Sequence, residues 1–328
     1  MTPPTLKSVL LFFGVCLVFS GGILLGKIYG ERLVCASSVS FRFLNPQLRC
    51  EGKSVVDKQA YIGMRHTLEK LIEDKKAEGA IDSASIYFRD LDDGPTLGLN
   101  EHDDFVPASL LKLPLLLAYL NYQEERPGLL DEKMMIAGVE NNLFQAYPPT
   151  SELSENVSYS VKELLRAMIV SSDNRALYAL QNHLRDVAPG RDIFFETLVD
   201  LGLVDPTDIT DETISVKGYS NIFLQLYSGS YLYRNELSEN ALAMLADSEF
   251  NQGIVAGLPE GMTVAHKFGE RSDLPGGLNQ LHDCGIVYYP GNPYLLCVMT
   301  RGKDFTALAK TISNISATVY EEFDSRRL

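Results

Sequence analysis

The chain has 328 residues, of which 45% are hydrophobic, and this is enough to bury a full-sized core. Its formal net charge of −14 excludes the broad basic face that a nucleic-acid-binding protein needs. The five cysteines lack the Cys-x-x-Cys spacing of a zinc site and no His-Glu-x-x-His sequence occurs, so we expect no metal and no cofactor.

The N-terminal segment differs from the rest of the chain. Residues 8–26 are nineteen consecutive uncharged residues, rich in Leu, Val and Phe, between Lys7 and Lys27. A stretch of this length can cross a bilayer as a helix, so we predict a single-pass anchor after a short tail at 1–7. A signal peptide cleaved before Gly21 is the alternative, and it would give a secreted protein.

A stalk and then a folded domain are predicted to follow the anchor. Residues 27–56 are rich in serine and show no helical period, which is typical of a linker. The folded domain is predicted over residues 57–326. It begins with an amphipathic helix of about twenty residues, which Asp57 caps and Gly79 ends.

The order of predicted elements indicates an α+β fold. Two β-prone runs at 83–90 and 96–99 predict a hairpin, and helical spacing recurs between about 109 and 250. From residue 262 the strands return as a second hairpin, followed by a closing amphipathic helix. We therefore predict one antiparallel sheet of about five strands from both chain ends, flanked by terminal helices, with an all-helical insertion after the second strand.

Four cysteines fall into two pairs. Cys35 and Cys50 lie in the predicted stalk, where a disulfide and free thiols are both open. Cys284 and Cys297 are predicted to lie diagonally on one face of the second hairpin. We expect them to be buried small hydrophobic side chains rather than a disulfide.

The first motif with chemical meaning is Ser109-Leu-Leu-Lys112, at the predicted start of a buried helix. A serine and a lysine three residues apart lie on one helical face. A lysine whose pKa is lowered by burial or by a second cation can take the hydroxyl proton, which makes the serine a nucleophile. A solvated serine and lysine near a helix start are the structural alternative.

Two further motifs follow along the chain. Ser172-Asp-Asn174 begins 63 residues after Ser109, and Lys267-Phe-Gly269 begins 95 residues after Ser172. In this order and spacing, the three motifs resemble those of the serine penicillin-recognising enzymes, and within them the class A β-lactamases. The resemblance covers roughly residues 57–326 and implies the β-lactamase/transpeptidase-like fold.

The resemblance implies a role in acyl transfer for each motif residue. Ser109 would be the nucleophile and Lys112 the general base, while Ser172 would relay a proton to the leaving nitrogen. Lys267 would keep the site electropositive and attract a substrate carboxylate. Asn174 would orient Lys112 and contact the substrate.

The strand motif supplies the remaining residues that the resemblance assigns to substrate binding. The backbone N–H groups of Ser109 and Glu270 would form the oxyanion hole. Gly269 and Phe268 would line the substrate. Phe268 stands where the family has a hydroxyl residue that helps to bind a substrate carboxylate, so recognition of a typical β-lactam is in question.

A second departure concerns hydrolysis of the acyl-enzyme. Class A β-lactamases carry an acidic residue in a loop between the second and third motifs. The corresponding stretch here, residues 200–212, is short and lacks the Glu-x-x-Leu-Asn pattern. Asp205 and Asp208 are candidate deacylation acids, and a solvated loop acid is the alternative for each.

The leading hypothesis is a membrane-anchored serine hydrolase, monomeric and with its catalytic domain outside the cytoplasm. A β-lactam or related amide would acylate it at Ser109, and hydrolysis of that adduct is left open. One alternative is a D-alanyl-D-alanine peptidase, or another peptidoglycan amidase or esterase. Another is a non-hydrolysing penicillin-binding or sensing domain. The partner in each case is a small β-lactam or peptidoglycan-like molecule, not nucleic acid.

Overall fold

The structure is a computed structural model, and it describes residues 41–45, 61–92, 94–136, 145–207 and 213–325. The predicted anchor at 8–26, most of the predicted stalk, and Cys35 and Cys50 lie outside these residues. In the ranges just given, no helix is long and apolar enough to cross a membrane.

Strands lie at both ends of the domain and helices fill its middle. The strands are β1 (Ser83–Asp90), β2 (Thr96–Leu99), β3 (Asp104–Phe105), β4 (Lys133–Met135), β5 (Ser158–Ser160), β6 (Ile214–Ser215), β7 (Val264–Leu274), β8 (Leu278–Val287) and β9 (Tyr294–Gly302). The α-helices are α1 (Ile62–Ala77), α2 (Lys112–Glu125), α3 (Val161–Val170), α4 (Asn174–Val187), α5 (Ile193–Asp200), α6 (Val216–Tyr227), α7 (Asn235–Ala246) and α8 (Phe305–Asp324).

The main sheet is antiparallel and its strands run in the order β2-β1-β9-β8-β7. β1 pairs with β9, with Ser83 opposite Arg301, so the two ends of the domain share one sheet. Apolar residues of α1 and α8 pack on one sheet face, and the helical insertion packs on the other. These observations confirm the predicted α+β fold. β7 lies at one edge of the sheet.

The predicted all-helical insertion is wrong in one detail. β3 pairs with β6, and β4 pairs with β5, so the insertion and its margin contain two small antiparallel ladders. These strands have only two or three residues each. A segment that short shows no alternation of apolar and polar side chains, so its sequence gives no strand signal.

Local capping explains where two helices begin and end. Ser160 caps α3 through a capping box with Glu163. Gly79 follows α1 with a φ of 72°, a conformation that favours glycine at a helix end. The predicted cap at Asp57 lies outside the described residues, and α1 begins at Ile62.

The prediction for Cys284 and Cys297 is wrong. The two residues are direct partners in the β8–β9 register, and a disulfide joins them. Val287 and Tyr294 are the pair nearest the loop between β8 and β9. Three residues further from the loop on each strand, Cys284 lies opposite Cys297. Directly opposed side chains lie on one face and close together, whereas the predicted diagonal placement separates them.

Candidate active site

Ser109 lies in a short 3-10 turn that leads directly into α2. Ala108, just before it, has a φ of 49°, which is costly for a residue other than glycine. The turn is held from the helical side, because the buried Tyr219 hydroxyl donates to the carbonyl oxygen of Leu110 at 2.9 Å. Such a conformation persists only where neighbouring contacts fix it.

The segment before the turn is held from the sheet. The Val106 N–H donates to the side-chain oxygen of Gln280 at 3.0 Å, and Nε2 of His282 lies 3.1 Å from the Val106 carbonyl oxygen. Both side chains are buried on β8. Burial lowers the pKa of His282 to about 4, so the ring is neutral and Nε2 carries the proton that it donates. The backbone that enters the Ser109 turn is therefore anchored on both sides.

Lys112 lies on the first turn of α2 and is completely buried. Its ammonium nitrogen donates to the carbonyl oxygen of Ser172 at 2.5 Å, to the Ser172 hydroxyl oxygen at 3.0 Å and to Oδ1 of Asn174 at 2.8 Å. The sequence places these residues sixty positions apart, and the fold brings them into direct contact. The first and second motifs therefore form one hydrogen-bonded unit.

Lys267, on the edge strand β7, completes the unit from the opposite side. Its ammonium nitrogen donates to the Ser172 hydroxyl oxygen at 2.9 Å and to the Phe268 carbonyl oxygen at 3.1 Å. Ser172 is itself fully buried and has a φ of 54°. One serine hydroxyl thus lies between two lysines, in a backbone conformation that the surrounding contacts must stabilise.

The two lysines differ from exposed lysines in their protonation. Burial lowers the pKa of Lys112 to about 7, although the negative charges of Asp173 and Glu270 act in the opposite direction. Burial, and then the nearby charge of Lys112, hold the pKa of Lys267 well below its ordinary value. An amine with a pKa near neutrality can accept the proton of a hydroxyl at physiological pH.

Asp173 and Asn174 lie at the start of α4 and hold the network in place. The Asp173 carboxylate accepts the N–H groups of Arg175 and Ala176, and the hydroxyl of Ser151 at 2.6 Å. It is a buried helix cap, as expected for a structural residue. Asn174 turns its side-chain oxygen to Lys112, which fixes the direction of the ammonium group.

Gly269 lies where β7 approaches the Ser109 turn. A side-chain carbon at this position would come within 3.0 Å of the Leu110 nitrogen and of the Pro107 carbonyl oxygen. A larger residue would require one of the two backbones to shift, so glycine suits this close approach. The structure thus brings the turn that contains Ser109 beside the strand that contains Glu270, which are the two predicted oxyanion-hole segments.

Phe268 and Glu270 have side chains that contact groups beyond the three motifs. Phe268 is buried and stacks on Phe250, with ring centres 4.2 Å apart. The Glu270 carboxylate accepts the N–H groups of Ala146 at 2.8 Å and of Tyr147 at 3.3 Å. Burial raises the pKa of Glu270, and those two hydrogen bonds partly offset the effect.

Asp205, one of the two candidate deacylation acids, makes no described hydrogen bond to this unit. Asp205 is exposed, and its carboxylate accepts the N–H of Thr207 at 2.8 Å and the Thr207 hydroxyl at 2.6 Å. These bonds lower the pKa of Asp205. Asp208 lies outside the described residues, so the role of each acid stays a prediction.

A comparison with protein-family models agrees with the fold. The model of the beta-lactamase enzyme family named Beta-lactamase2 matches residues 64–323, which is most of the chain. The chain belongs to the β-lactamase enzyme family. It is a β-lactamase-like serine hydrolase. No curated protein matches it in sequence.

Solved structures show the same fold at low sequence identity. PBP-A is 23% identical with a TM-score of 0.65, over 80% of this chain and 97% of that one. The TLA-3 extended-spectrum β-lactamase is 18% identical with a TM-score of 0.67, over 80% and 98%. A class A β-lactamase from Mycobacterium abscessus is 22% identical with a TM-score of 0.65, over 80% and 99%.

Sequence reasoning missed the residues that hold the site in place. Tyr219, Gln280 and His282 fix the Ser109 turn, and their contacts cross more than one hundred positions of sequence. No local pattern marks such contacts. The role of the Glu270 side chain was also missed, since only its backbone N–H was assigned. Here the sequence held a signal, because alternation along β7 puts this side chain on the same face of the strand as that of Phe268.

Proposed function

We propose that Ser109 is the nucleophile of an acyl-transfer site for amide or ester carbonyls, and that Lys112 is its general base. The observation that carries this proposal is the buried contact of Lys112, Ser172 and Lys267, three residues from three separate motifs. The lowered pKa of Lys112 supports its role as a base.

The reaction follows from these positions. As the Ser109 oxygen bonds to the substrate carbonyl carbon, its proton passes to neutral Lys112. The backbone N–H groups of Ser109 and Glu270 hold the oxygen that becomes negative. When the bond to the leaving atom breaks, Ser172 gives that atom a proton and regains one from a neighbouring lysine. The product of this half-reaction is an acyl group on Ser109.

β-Lactams are proposed as one class of acyl donor. The family match supports this, and so does a structural neighbour described as a mutant of PBP-A in an acyl-enzyme complex with penicillin G. A peptidoglycan amidase or esterase is the second candidate, because Phe268 replaces the hydroxyl residue of the family motif. The fate of the acyl-enzyme differs between these functions.

Hydrolysis of the acyl-enzyme needs a base that holds water at the acyl carbonyl. The exposure of Asp205 and its bonds to Thr207 favour a long-lived acyl-enzyme over rapid turnover. Asp208 is then the proposed acid of the same loop. A long-lived adduct also suits the alternative of a penicillin-binding or sensing domain.

Intact-mass analysis tests the assigned nucleophile. We expect a fluorophosphonate, and a fluorescent penicillin at high concentration, each to add one group to the wild type on Ser109. Ser109→Ala should carry neither. A wild type that stays unmodified by both reagents would remove the acyl-transfer proposal.

We also propose that residues 8–26 anchor the chain in a membrane, with a monomeric catalytic domain outside the cytoplasm. The length of the uncharged stretch supports this. Membrane fractionation of cells that express the chain with and without residues 1–40 tests the anchor. Protease treatment of intact cells tests the side, and light scattering tests the monomer. A soluble, processed product that starts near Gly21 would favour the secreted alternative.

A further inference from the structure

The leaving group of the substrate must lie beside Lys267, and this inference rests on the proposed function. Ser172 is the proposed donor of a proton to the leaving atom, and its hydroxyl oxygen is 2.9 Å from the Lys267 nitrogen. Substituents on the leaving atom therefore meet Lys267 and its neighbours. The family resemblance assigns a substrate carboxylate to this lysine.

Lys267 is not available to such a carboxylate. The side chain has no exposed surface, and its ammonium nitrogen already donates to Ser172 and to the Phe268 carbonyl oxygen. The same nitrogen lies 4.4 Å from the centre of the Phe268 ring. An ammonium group has three donors, and an aromatic face over it replaces the water or anion that would otherwise solvate it.

The Phe268 ring is fixed in this position. It is 4% exposed and stacks on Phe250 at 4.2 Å, and Tyr147 contacts it edge-on at 6.2 Å. Aromatic pairs with these geometries add to the stability of the packing. Moving the ring away from Lys267 would break the stack, so Phe268 is a built-in cover for the cation.

Glu270 adds a negative charge to the same place. Its carboxylate bonds to the N–H groups of Ala146 and Tyr147, and its charge acts on both Lys112 and Lys267. A substrate carboxylate would meet this charge across a partly buried space, where repulsion between like charges is stronger than in water. The lysines are thus already balanced by a carboxylate that belongs to the protein.

A groove of about 280 Å³ opens next to these residues. Tyr147, Phe250 and Phe268 form part of its wall, and Glu249 lies at an exposed position on its side. None of the described residues that line it is basic. Uncharged polar residues complete the lining that the structure describes: Thr150, Ser171, Asn251 and Gln252. Its surface therefore suits an uncharged group rather than a negatively charged one.

We propose that the leaving-group subsite takes an uncharged group, and that Ser109 is acylated by neutral amides and esters in preference to acyl donors whose leaving group carries a carboxylate. Three separate observations support this selection. They are the Phe268 ring that covers Lys267, the negative charge of Glu270, and the lack of basic residues among the described lining of the groove.

Two matched esters test the inference on the full chain. The phenylacetyl esters of meta-hydroxybenzamide and of meta-hydroxybenzoate share the acyl group and differ in the charge of the leaving group. We would measure kcat/KM for Ser109 acylation with each and divide it by the spontaneous hydrolysis rate of that ester. We expect the wild type to prefer the benzamide ester by roughly tenfold or more.

Variants test whether Phe268 and Glu270 cause this preference. In Phe268→Thr/Glu270→Gln, which uncovers Lys267 and removes the charge, we expect the preference to fall by roughly tenfold. Glu260→Gln removes a similar charge at an exposed position and should leave the ratio unchanged. Phe268→Leu keeps an apolar side chain, which controls for packing, and thermal denaturation checks that each variant folds.

The outcomes are distinct. A wild type that prefers the benzoate ester would overturn the inference. Arg271 follows Glu270 on β7 and is exposed, so loss of that preference in Arg271→Gln would assign the carboxylate to Arg271 instead. If a fluorophosphonate still labels Ser109, the proposed function survives that result. If neither esters nor the fluorophosphonate modify Ser109, the proposed function fails, and the inference fails with it.

Discussion

Two regions of one domain are opposite extremes. One is the buried network around Ser172, which joins Lys112, Asn174 and Lys267, and the other is the loop that carries Asp205. Lys112 and Lys267 have no exposed surface, and their donors are used by Ser172, Asn174 and a backbone carbonyl. Asp205 is exposed, and its bonds to other described residues are those to Thr207, two positions away. The difference teaches that the residues proposed for acylation are built into the core of the fold, whereas no comparable structure in the described residues supports deacylation from Asp205.

The same comparison separates two kinds of perturbation. A buried charge loses its compensation when one partner is removed, so substitutions in the network have large effects. A solvated carboxylate is screened by water and salt, so its removal has small effects. The effects of substitutions should therefore decrease steeply from the core of the site to the loop.

The largest effect is expected for Lys112→Met. Methionine fills the space of the lysine but cannot take the Ser109 proton, so acylation should slow by roughly 10³–10⁴-fold. Because methionine leaves the buried Ser172 carbonyl and Asn174 side-chain oxygens without their donor, the free energy of unfolding should also fall, by about 1–3 kcal/mol. Stopped-flow acylation and urea denaturation measure the two quantities. Near-normal acylation would show that Lys112 is not the base.

The next effect concerns the sheet beneath Lys267. Cys284 is the register partner of Lys267, and its disulfide to Cys297 closes a segment with a sequence separation of 13. A crosslink over such a segment is worth about 3 kcal/mol of stability. Urea denaturation with and without reductant should show a difference of that order. Non-reduced peptide mapping should recover the two cysteines as one linked pair, and free thiols there would contradict the assignment.

Acylation should also depend on pH through Lys112. Its pKa is lowered to about 7, so the protonated form predominates below that pH and cannot accept the Ser109 proton. The acylation rate should rise about tenfold per pH unit below this value and level off above it. Glu270→Gln removes a charge that raises the Lys112 pKa, so its profile should shift to lower pH. A flat profile would exclude a titrating base.

The smallest effect is expected at the loop. Asp205→Asn should change the lifetime of the acyl-enzyme by less than about twofold, because the exposed carboxylate is bonded to Thr207 rather than to the site. Mass spectrometry after rapid removal of excess acyl donor measures that lifetime. A large increase in lifetime would place Asp205 at the acyl group and erase the contrast between the two regions. Asp208→Asn, made in parallel, tests the other proposed acid.

The sequence was sufficient for the α+β fold class and for the main sheet. Helical spacing, the turns between β-prone runs and the three motifs predicted the sheet, its helices and the groups that meet at Ser172. The motifs carry that information because each function needs a particular side chain at a particular helix or strand position. Ser160 was also predictable as a cap, since capping is decided within one turn of helix.

Other features depend on contacts that no local pattern records. The pairing of Cys284 with Cys297 depends on the exact register of a hairpin, and a shift in that register would separate them. The cover that Phe268 forms over Lys267 depends on Phe250 and Tyr147, which come from two distant loops. The short ladders within the insertion are too brief to show a period.

The most direct test of the account is the formation of an acyl group on Ser109. The full chain would be mixed with the phenylacetyl ester of meta-hydroxybenzamide, quenched in acid at short times and examined by intact mass and peptide mapping. We predict one phenylacetyl group per molecule, located on Ser109 and absent from Ser109→Ala. An adduct that persists in Ser109→Ala, or that maps to another residue of the wild type, would contradict the account.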